Sequence, residues 1–291
     1  PTAIFASNTS TLPISGLAEA SIRPAQFIGL HFFSPVERMP LIEVICGSET
    51  SDETLAKALD FVAQMRMTPV VVNDSRGFYT SRVFQTYIHE GMKMLEEGVA
   101  PALIENAARM AGMPLGPLAL LDEITISLPW KIVQQSITDM GDAYPRPCAY
   151  DVMATMVEKL KRLGRSSGGG FYDYPSDAPK HFWSGLENFY PLAQQQPSAQ
   201  ELQSRFLAIQ SLETARCMEE GVVEFAADAD IGSLMGWSFP LWTGGTLSYI
   251  DTLGIRRFVS ECDRMSALYG ERFKPSTWLR ARAEKNQAFY A

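Results

Sequence analysis

The sequence predicts a protein of mixed class, an α/β part followed by an all-α remainder. Three observations predict this class. Strand and helix signals alternate over residues 1–76, the pattern becomes almost entirely helical from Gly77 onward, and the helical part repeats itself at an offset of 123 residues. A chain of 291 residues is long enough for several domains. We predict three, over residues 1–76, 77–175 and 176–291.

Short apolar runs separated by polar turns make up the first part. Ser51 or Asp52 can cap a helix whose apolar residues recur at helical spacing up to Met65. Such alternation is typical of the α/β domains that bind nucleotides. Their usual glycine fingerprint, G-x-G-x-x-G, occurs nowhere in the sequence. Strands are predicted over residues 3–6, 27–33, 41–46 and 69–72, with a further helix over 14–20.

Helical periodicity dominates the rest of the chain. Pro101 suits the first turn of a helix. The glycine run within residues 164–175 is predicted to be a loop or linker, because no strand precedes it and no Lys-Ser/Thr pair follows. Helices are predicted over residues 78–99, 101–110, 118–121, 130–138 and 152–163.

Part of the helical pattern occurs twice. Residues 204–222 read SRFLAIQSLETARCMEEGV, and residues 81–99 read SRVFQTYIHEGMKMLEEGV. The Ser-Arg pair, a mid-helix Glu and the closing EEGV coincide at the constant offset. A match of this kind indicates two tandem, duplicated helical domains.

Composition excludes several classes of protein. The net charge of -8 and pI of about 5.0 argue against a nucleic-acid partner. No apolar run reaches the length of a membrane span, so we predict no membrane insertion. The four cysteines form no C-x-x-C pair and read as reduced thiols of a cytoplasmic protein. No metal site is predicted.

One segment carries the strongest chemical signal, GLHFFSPVERMPLIEVI over residues 29–45. It holds His31, one of three histidines, and Glu43, each inside an apolar run of strand type. Buried charge is expensive unless it is paired. A His and a Glu on neighbouring strands can pair and yield a polarised imidazole that moves protons near neutral pH. The alternative is a satisfied core histidine. His89 and His181 are weaker candidates.

The pattern HFF-x-P-V-x-x-M-x-L-x-E-V in this segment resembles the signature of the L-3-hydroxyacyl-CoA dehydrogenases. The segments FASNTSTLPIS, residues 5–15, and DSRGFYTSR, residues 74–82, resemble the same family. The resemblance implies that His31 is the catalytic base and that Glu43 orients it. It places Ser10 at the substrate oxygen on C3, and we assign Asn8 of the same turn to the cofactor. Turn or capping chemistry is the alternative for both.

Ser81 departs from the family pattern. The single-function members carry G-F-x-x-N-R, whose Asn reaches the active site, whereas this chain has G-F-Y-T-S-R. A serine hydroxyl reaches less far and lacks the amide pair. Its repeat partner Ser204 is also Ser, so a helix-start role is the alternative. We retain Ser81 as a substrate-binding candidate.

The resemblance implies a function and a fold. The reaction is oxidation of (S)-3-hydroxyacyl-CoA to 3-ketoacyl-CoA with NAD+ in fatty-acid β-oxidation. The two helical copies resemble the large α-subunit type of the fatty-acid oxidation multienzyme. The first domain is then the C-terminal remnant of a Rossmann-type NAD-binding domain without its G-x-G-x-x-G half. Because the sequence opens at Pro1 directly in a strand-like run, we expect a fragment truncated at the N-terminus and inactive as it stands.

The implied partners are an acyl-CoA substrate and, in the full-length protein, a second copy or a thiolase subunit. Two alternatives are open. One is a 3-hydroxybutyryl-CoA dehydrogenase, against which the second helical repeat speaks. The other is a helical assembly or dimerisation module of a multienzyme complex, which would have no need of His31, Glu43 and Ser10.

Overall fold

The computed structural model describes residues 3–290, so the opening Pro1 lies outside the described residues. By residue number the chain divides into two compact units, 1–84 with 208–291, and 85–207. Both division points fall at or within long helices, α3 (Thr80–Glu96) and α9 (Ala199–Glu219). The three predicted domains are each a continuous stretch of sequence, whereas the first unit combines two separate stretches. The domain ranges stay a prediction.

The first unit contains a four-stranded sheet. Its strands are β1 (Phe5–Ser7), β2 (Phe27–Phe32), β3 (Leu41–Cys46) and β4 (Thr68–Asn73). The strand order follows the chain, with β1 parallel to β2, β2 antiparallel to β3, and β3 parallel to β4. The strand at 41–46 is confirmed at both ends, and the other three are confirmed with shifts of one or two residues.

Two helices accompany these strands, α1 (Ile14–Ala18) and α2 (Asp52–Gln64). The Ser51 hydroxyl accepts a hydrogen bond from the Thr54 N–H at 3.2 Å, so Ser51 is the cap of α2. Successive side chains of a strand point to opposite faces. One face of the sheet packs on α2 through Ile28, Leu30, Ile42, Val44, Ala58 and Val62.

Helices from the C-terminal part of the chain complete the first unit. Helix α10 (Ala226–Gly236) packs against β3 and β4. A side chain on Gly236 would come within 3.1 Å of Leu41, which shows how closely α10 approaches β3. Asn73 at the end of β4 donates to the Gly221 carbonyl at 2.8 Å. The helices after α10 are α11 (Thr246–Leu253), α12 (Ile255–Tyr269) and α13 (Thr277–Glu284).

The second unit is mainly helical. A two-stranded antiparallel ribbon of β5 (Tyr172–Asp173) and β6 (His181–Phe182) follows the glycine run, which is a loop apart from one 3-10 turn. The helices are α4 (Pro101–Ala111), α5 (Pro117–Ile124), α6 (Ser127–Met140), α7 (Tyr150–Ala154) and α8 (Leu186–Phe189).

Two buried carboxylates organise this unit. Glu105 on α4 accepts from the Leu118 N–H at the start of α5, at 2.8 Å, and from the Tyr172 hydroxyl at 3.1 Å. Asp122 on α5 accepts from the Phe171 and Tyr172 N–H groups, both at 2.9 Å. Burial raises the pKa of both carboxyls.

The helices of the first unit have a network of the same design. Asp230 on α10 accepts from the Leu247 N–H at the start of α11, at 2.8 Å, and from the Tyr290 hydroxyl at 2.8 Å. Asp251 on α11 accepts from the Phe289 and Tyr290 N–H groups at about the same distance. In each unit, one carboxylate accepts a hydrogen bond from an N–H group at the start of a short helix. The other accepts from the two N–H groups of a Phe-Tyr pair.

Most predicted helices differ in extent from the observed ones, and left-handed residues explain two of the differences. Helix α3 begins at Thr80 rather than at residue 78, because Gly77 and Phe78 have left-handed φ angles of 76° and 50°. The single helix predicted over 152–163 is instead α7, a π-helical turn over Thr155–Lys159, and an irregular end where Lys161 has φ 54°. A left-handed residue ends regular helical hydrogen bonding.

Within residues 3–290, no helix combines the length and apolar character that a membrane crossing needs. In the same residues, no three His, Cys, Asp or Glu side chains are grouped so that they could hold a metal ion.

Candidate active site

Antiparallel strands bring His31 and Glu43 together. The two residues are directly opposite each other in the register of β2 and β3. The His31 Nδ1 atom lies 2.9 Å from Glu43 Oε2. His31 is 7% exposed and Glu43 is fully buried. The hydrogen-bonded pair is therefore shielded from water, on the sheet face opposite α2.

Glu43 has three further hydrogen bonds, all from the start of α3. The N–H groups of Tyr79 and Thr80 donate to Oε1, each at 2.9 Å. The Thr80 hydroxyl donates to Oε2 at 2.6 Å. Charge-assisted hydrogen bonds of this number offset the cost of burying a carboxylate. An ionised carboxylate only accepts, so the donor in the contact with Glu43 is His31 Nδ1–H. In a neutral imidazole with that tautomer, Nε2 is the proton acceptor.

A left-handed turn at the beginning of α3 aims these donors. Phe78 is buried and has φ 50°, a conformation that bulky residues rarely adopt and that clusters at functional sites. The Phe78 ring centroid lies 6.1 Å from that of His31, and the Phe33 ring centroid lies at 4.6 Å. The two rings restrict the orientations open to the imidazole.

The polar turn after β1 lies next to the end of β2. Asn8 Oδ1 accepts from the Phe32 N–H at 2.9 Å, which ties the turn to the residue after His31. Ser10 is exposed, and no hydrogen bond of its hydroxyl is found among residues 3–290. The structure thus brings Asn8 to the strand that carries His31, but it records no contact between Ser10 and His31.

The remaining candidates do not contact the pair. Ser81 is the second residue of α3, half-buried, and in the described part of the chain its hydroxyl has no hydrogen bond. Its neighbour Thr80 contacts Glu43 instead. His89 and His181 belong to the second unit.

Sequence reasoning missed Thr80 and the N–H group of Tyr79. A Ser or Thr at a helix start is normally interpreted as an ordinary N-cap. Backbone N–H donors cannot be recognised from the sequence, because almost every residue type has one. The glycine-aromatic pair at 77–78 is the one signal that marks an unusual helix start.

The cysteine on the strand that carries Glu43 is not a nucleophile. Cys46 is the last residue of β3. Burial raises the pKa of the Cys46 thiol, so it stays protonated at neutral pH. Proton transfer is the chemistry that a histidine hydrogen-bonded to a buried carboxylate can support.

The position of the pair fits one end of a dinucleotide cofactor. Since β1 and β2 are parallel, the polar turn and His31 lie at the same, carboxyl edge of the sheet. Cofactors bind at this edge in open α/β sheets. The polar turn at residues 8–11 could hold the nicotinamide end of such a cofactor.

A histidine hydrogen-bonded to a buried carboxylate at the carboxyl edge of an α/β sheet is an arrangement found in nucleotide-dependent oxidoreductases. Residues 1–75 match the 3-hydroxyacyl-CoA dehydrogenase NAD binding domain, and residues 77–174 match the C-terminal domain of the same enzymes. Together the matches cover more than half of the chain. The chain belongs to the 3-hydroxyacyl-CoA dehydrogenase family.

Similar proteins agree with this membership. The fatty acid oxidation complex subunit alpha of Shewanella amazonensis is 40% identical over 99% of this chain. The chain spans only 40% of that relative's length. An (S)-3-hydroxybutyryl-CoA dehydrogenase from Ralstonia eutropha is 36% identical with a TM-score of 0.55, covering 60% of this chain and 61% of that one.

A 3-hydroxybutyryl-CoA dehydrogenase from Escherichia coli shares the fold over 97% of this chain and 75% of its own, with 23% identity and a TM-score of 0.77. This likeness shows the fold over nearly the whole chain, including the second helical segment.

Proposed function

We propose that this chain is the dehydrogenase part of a fatty-acid oxidation enzyme and oxidises (S)-3-hydroxyacyl-CoA to 3-ketoacyl-CoA with NAD+. The observation that supports the proposal best is the 2.9 Å contact between His31 and the buried Glu43 at the carboxyl edge of the sheet. The family match of residues 1–75 to an NAD binding domain supports the cofactor.

His31 performs the proton transfer in this proposal. Its Nε2 accepts the hydroxyl proton of the substrate while the C3 hydrogen leaves as hydride. NAD+, when bound, supplies the hydride acceptor. Glu43 keeps the ring in the Nδ1–H tautomer and stabilises the imidazolium that forms. In the reverse direction, the imidazolium returns its proton to the C3 oxygen.

Three polar residues complete the proposed site. The exposed Ser10 hydroxyl is available to donate to the C3 oxygen. Asn8 holds the turn beside β2 and is proposed to contact the cofactor. Ser81, at the start of α3, is proposed to position the substrate through a shorter reach than the Asn of the single-function members.

The sequence contains no G-x-G-x-x-G turn. We therefore propose that these residues alone bind NAD weakly and turn over slowly. Titration of NADH into the chain, followed by NADH fluorescence, measures this directly. Affinity equal to that of a complete dehydrogenase would contradict it.

Duplication of the helical part is also proposed. Arg82 contacts Glu213 and Glu220 in the first unit, at 2.6 and 2.5 Å. Arg205 contacts Glu90 and Glu97 in the second unit, at 2.5 and 2.8 Å. The 123-residue offset relates Arg82 to Arg205, Glu90 to Glu213 and Glu97 to Glu220. The Arg of each copy therefore contacts the two Glu residues of the other copy. Matching contacts at the same offset support duplication of this segment.

The proposed partners follow the relatives. An acyl-CoA is the substrate, and the name of the curated relatives supports a subunit of a fatty acid oxidation complex, with a thiolase subunit or a second copy as neighbour. Four free cysteines support a cytoplasmic location. An assembly module without catalysis is disfavoured, because assembly has no use for a buried His–Glu pair. A 3-hydroxybutyryl-CoA substrate stays open.

The test is NADH-dependent reduction of 3-ketoacyl-CoA substrates of four and more acyl carbons by the natural polypeptide that carries these residues. His31→Ala should lower kcat by at least about a hundredfold. His181→Ala, an exposed histidine of the second unit, is the matched control and should leave kcat unchanged. Full activity of His31→Ala would overturn the assignment, and the chain-length profile separates the two substrate classes.

A further inference from the structure

The Thr80 side chain contacts the carboxylate that holds the proposed base. Its hydroxyl donates to Glu43 Oε2 at 2.6 Å, and its N–H donates to Oε1 at 2.9 Å. Thr80 is 2% exposed. Among residues 3–290 the Thr80 hydroxyl has no other hydrogen-bond partner, so its single donor is committed to Glu43.

Each oxygen of Glu43 therefore has two donors. Oε1 accepts from the backbone N–H groups of Tyr79 and Thr80. Oε2 accepts from His31 Nδ1 and the Thr80 hydroxyl. Two donors on each oxygen fix the plane of the carboxylate. The hydroxyl on Oε2 also takes up part of the negative charge that faces the imidazole, which favours retention of the proton on Nδ1.

We propose that Thr80 is a positioning residue for the dehydrogenase reaction. Through Glu43 Oε2 it holds the His31 ring in one orientation and in the Nδ1–H tautomer, with Nε2 free for the substrate oxygen. Thr80 itself does not touch the substrate. The inference rests on the proposed role of His31 and deepens it.

A purely structural role predicts a different outcome. If Thr80 only starts α3, its backbone N–H suffices, and valine, which has nearly the same shape, should replace it with a loss of stability alone. A positioning role requires the hydroxyl. Thr80→Val removes the hydroxyl and keeps the branched shape, whereas Thr80→Ser keeps the hydroxyl and loses a methyl group.

The first arm of the test uses the chain itself, labelled with 15N-histidine. Three histidines give three imidazole signals, and the His31→Gln variant identifies that of His31. The wild type should show the Nδ1–H tautomer at His31. Thr80→Val should show a mixture of tautomers or a broadened His31 signal, and Thr80→Ser should restore the wild-type signal. This arm reads the imidazole whether or not the protein is a dehydrogenase.

The second arm measures kinetics in the natural polypeptide. Thr80→Val should lower kcat about tenfold with KM within about twofold, the loss expected for one hydrogen bond to a charged group. Thr80→Ser should stay within about threefold of the wild type. The matched control is Thr54→Val, since the buried Thr54 hydroxyl donates at 2.7 Å to the Ala25 carbonyl, away from Glu43. It should lose stability and keep kcat.

An unchanged His31 tautomer together with an unchanged kcat in Thr80→Val would overturn the proposal. If the valine variant does not fold, Thr80→Ala removes the same hydroxyl and takes its place. Failure of the proposed function has a different signature, because the wild type would then show no NADH-dependent reduction, or His31→Ala would retain full activity, while the tautomer comparison still reports on Thr80.

Discussion

Tyr79 joins Glu43 to helix α10. Its N–H donates to Glu43 Oε1 at 2.9 Å, and its hydroxyl donates to the Ala229 carbonyl at 2.8 Å. Burial raises the pKa of the Tyr79 hydroxyl well above its usual range, so it stays a donor. The Trp237 ring packs edge-on against Tyr79 with centroids 5.6 Å apart. The C-terminal helical segment thus supports one of the donors on the site carboxylate.

Crowding Tyr79 from α10 should disturb the site. An added Cβ at Gly232 would lie 2.8 Å from Tyr79 Cε1, so Gly232→Ala must displace the ring. We expect destabilisation of about 1–3 kcal/mol, measured by urea unfolding, together with a lower kcat. Gly16→Ala is the control, because that site in α1 is exposed with nothing within 4 Å. Equal behaviour of the two variants would refute the link.

Neutralising Glu43 should impair catalysis. Glu43→Gln keeps the side-chain volume but removes the negative charge that stabilises imidazolium at His31. We expect kcat to fall about a hundredfold, measured by NADH turnover. Glu37→Gln, on the exposed connection between β2 and β3, should have no effect. A Glu43→Gln enzyme with wild-type kcat would show that the carboxylate has no catalytic importance.

The buried ion pair of Arg205 should matter for stability. Arg205 is 1% exposed and Glu90 is fully buried. Arg205→Met leaves Glu90 without this opposite charge, at an expected cost of about 3–5 kcal/mol in the free energy of unfolding. The exposed pair of Lys57 and Glu53 is the comparison, and Lys57→Met should cost far less than Arg205→Met. Similar costs for the two would contradict this ranking.

His89 should make the fold sensitive to acid. Burial lowers the pKa of His89 from 6.5 to about 4. Between these values the unfolded chain binds a proton that the folded chain does not, so stability falls as the pH falls below 6.5. His89→Gln should reduce the loss between pH 7 and pH 5 by up to about 2 kcal/mol. Urea unfolding at both pH values measures it, with exposed His181→Gln as control; an unchanged pH dependence in His89→Gln would contradict it.

Local patterns predicted much of the fold. Six consecutive residues, Leu41–Cys46, form a strand because an apolar run is bounded by Pro40 and Gly47, which favour turns. Ser51 caps α2 because its hydroxyl precedes a helical apolar pattern. The contact between His31 and Glu43 was also predicted, because burying an ionisable group in a strand is costly unless it has a partner.

What the sequence did not predict depends on backbone geometry. Phe78 adopts a left-handed φ that bulky residues disfavour, and only the preceding Gly77 signals an unusual helix start in the sequence. The donors that this turn aims at Glu43, including Thr80, were therefore missed. The roles of Ser10, Asn8 and Ser81 stay predictions, because they depend on bound substrate and cofactor.

The most direct measurement is the distance between His31 Nε2 and the C3 oxygen of a 3-ketoacyl-CoA bound to the natural polypeptide, in a crystal structure of the complex with NAD+. We predict about 2.6–3.2 Å, the range for direct proton transfer. A C3 oxygen bound out of reach of His31, with another side chain in its place, would contradict the assignment of His31 as the base.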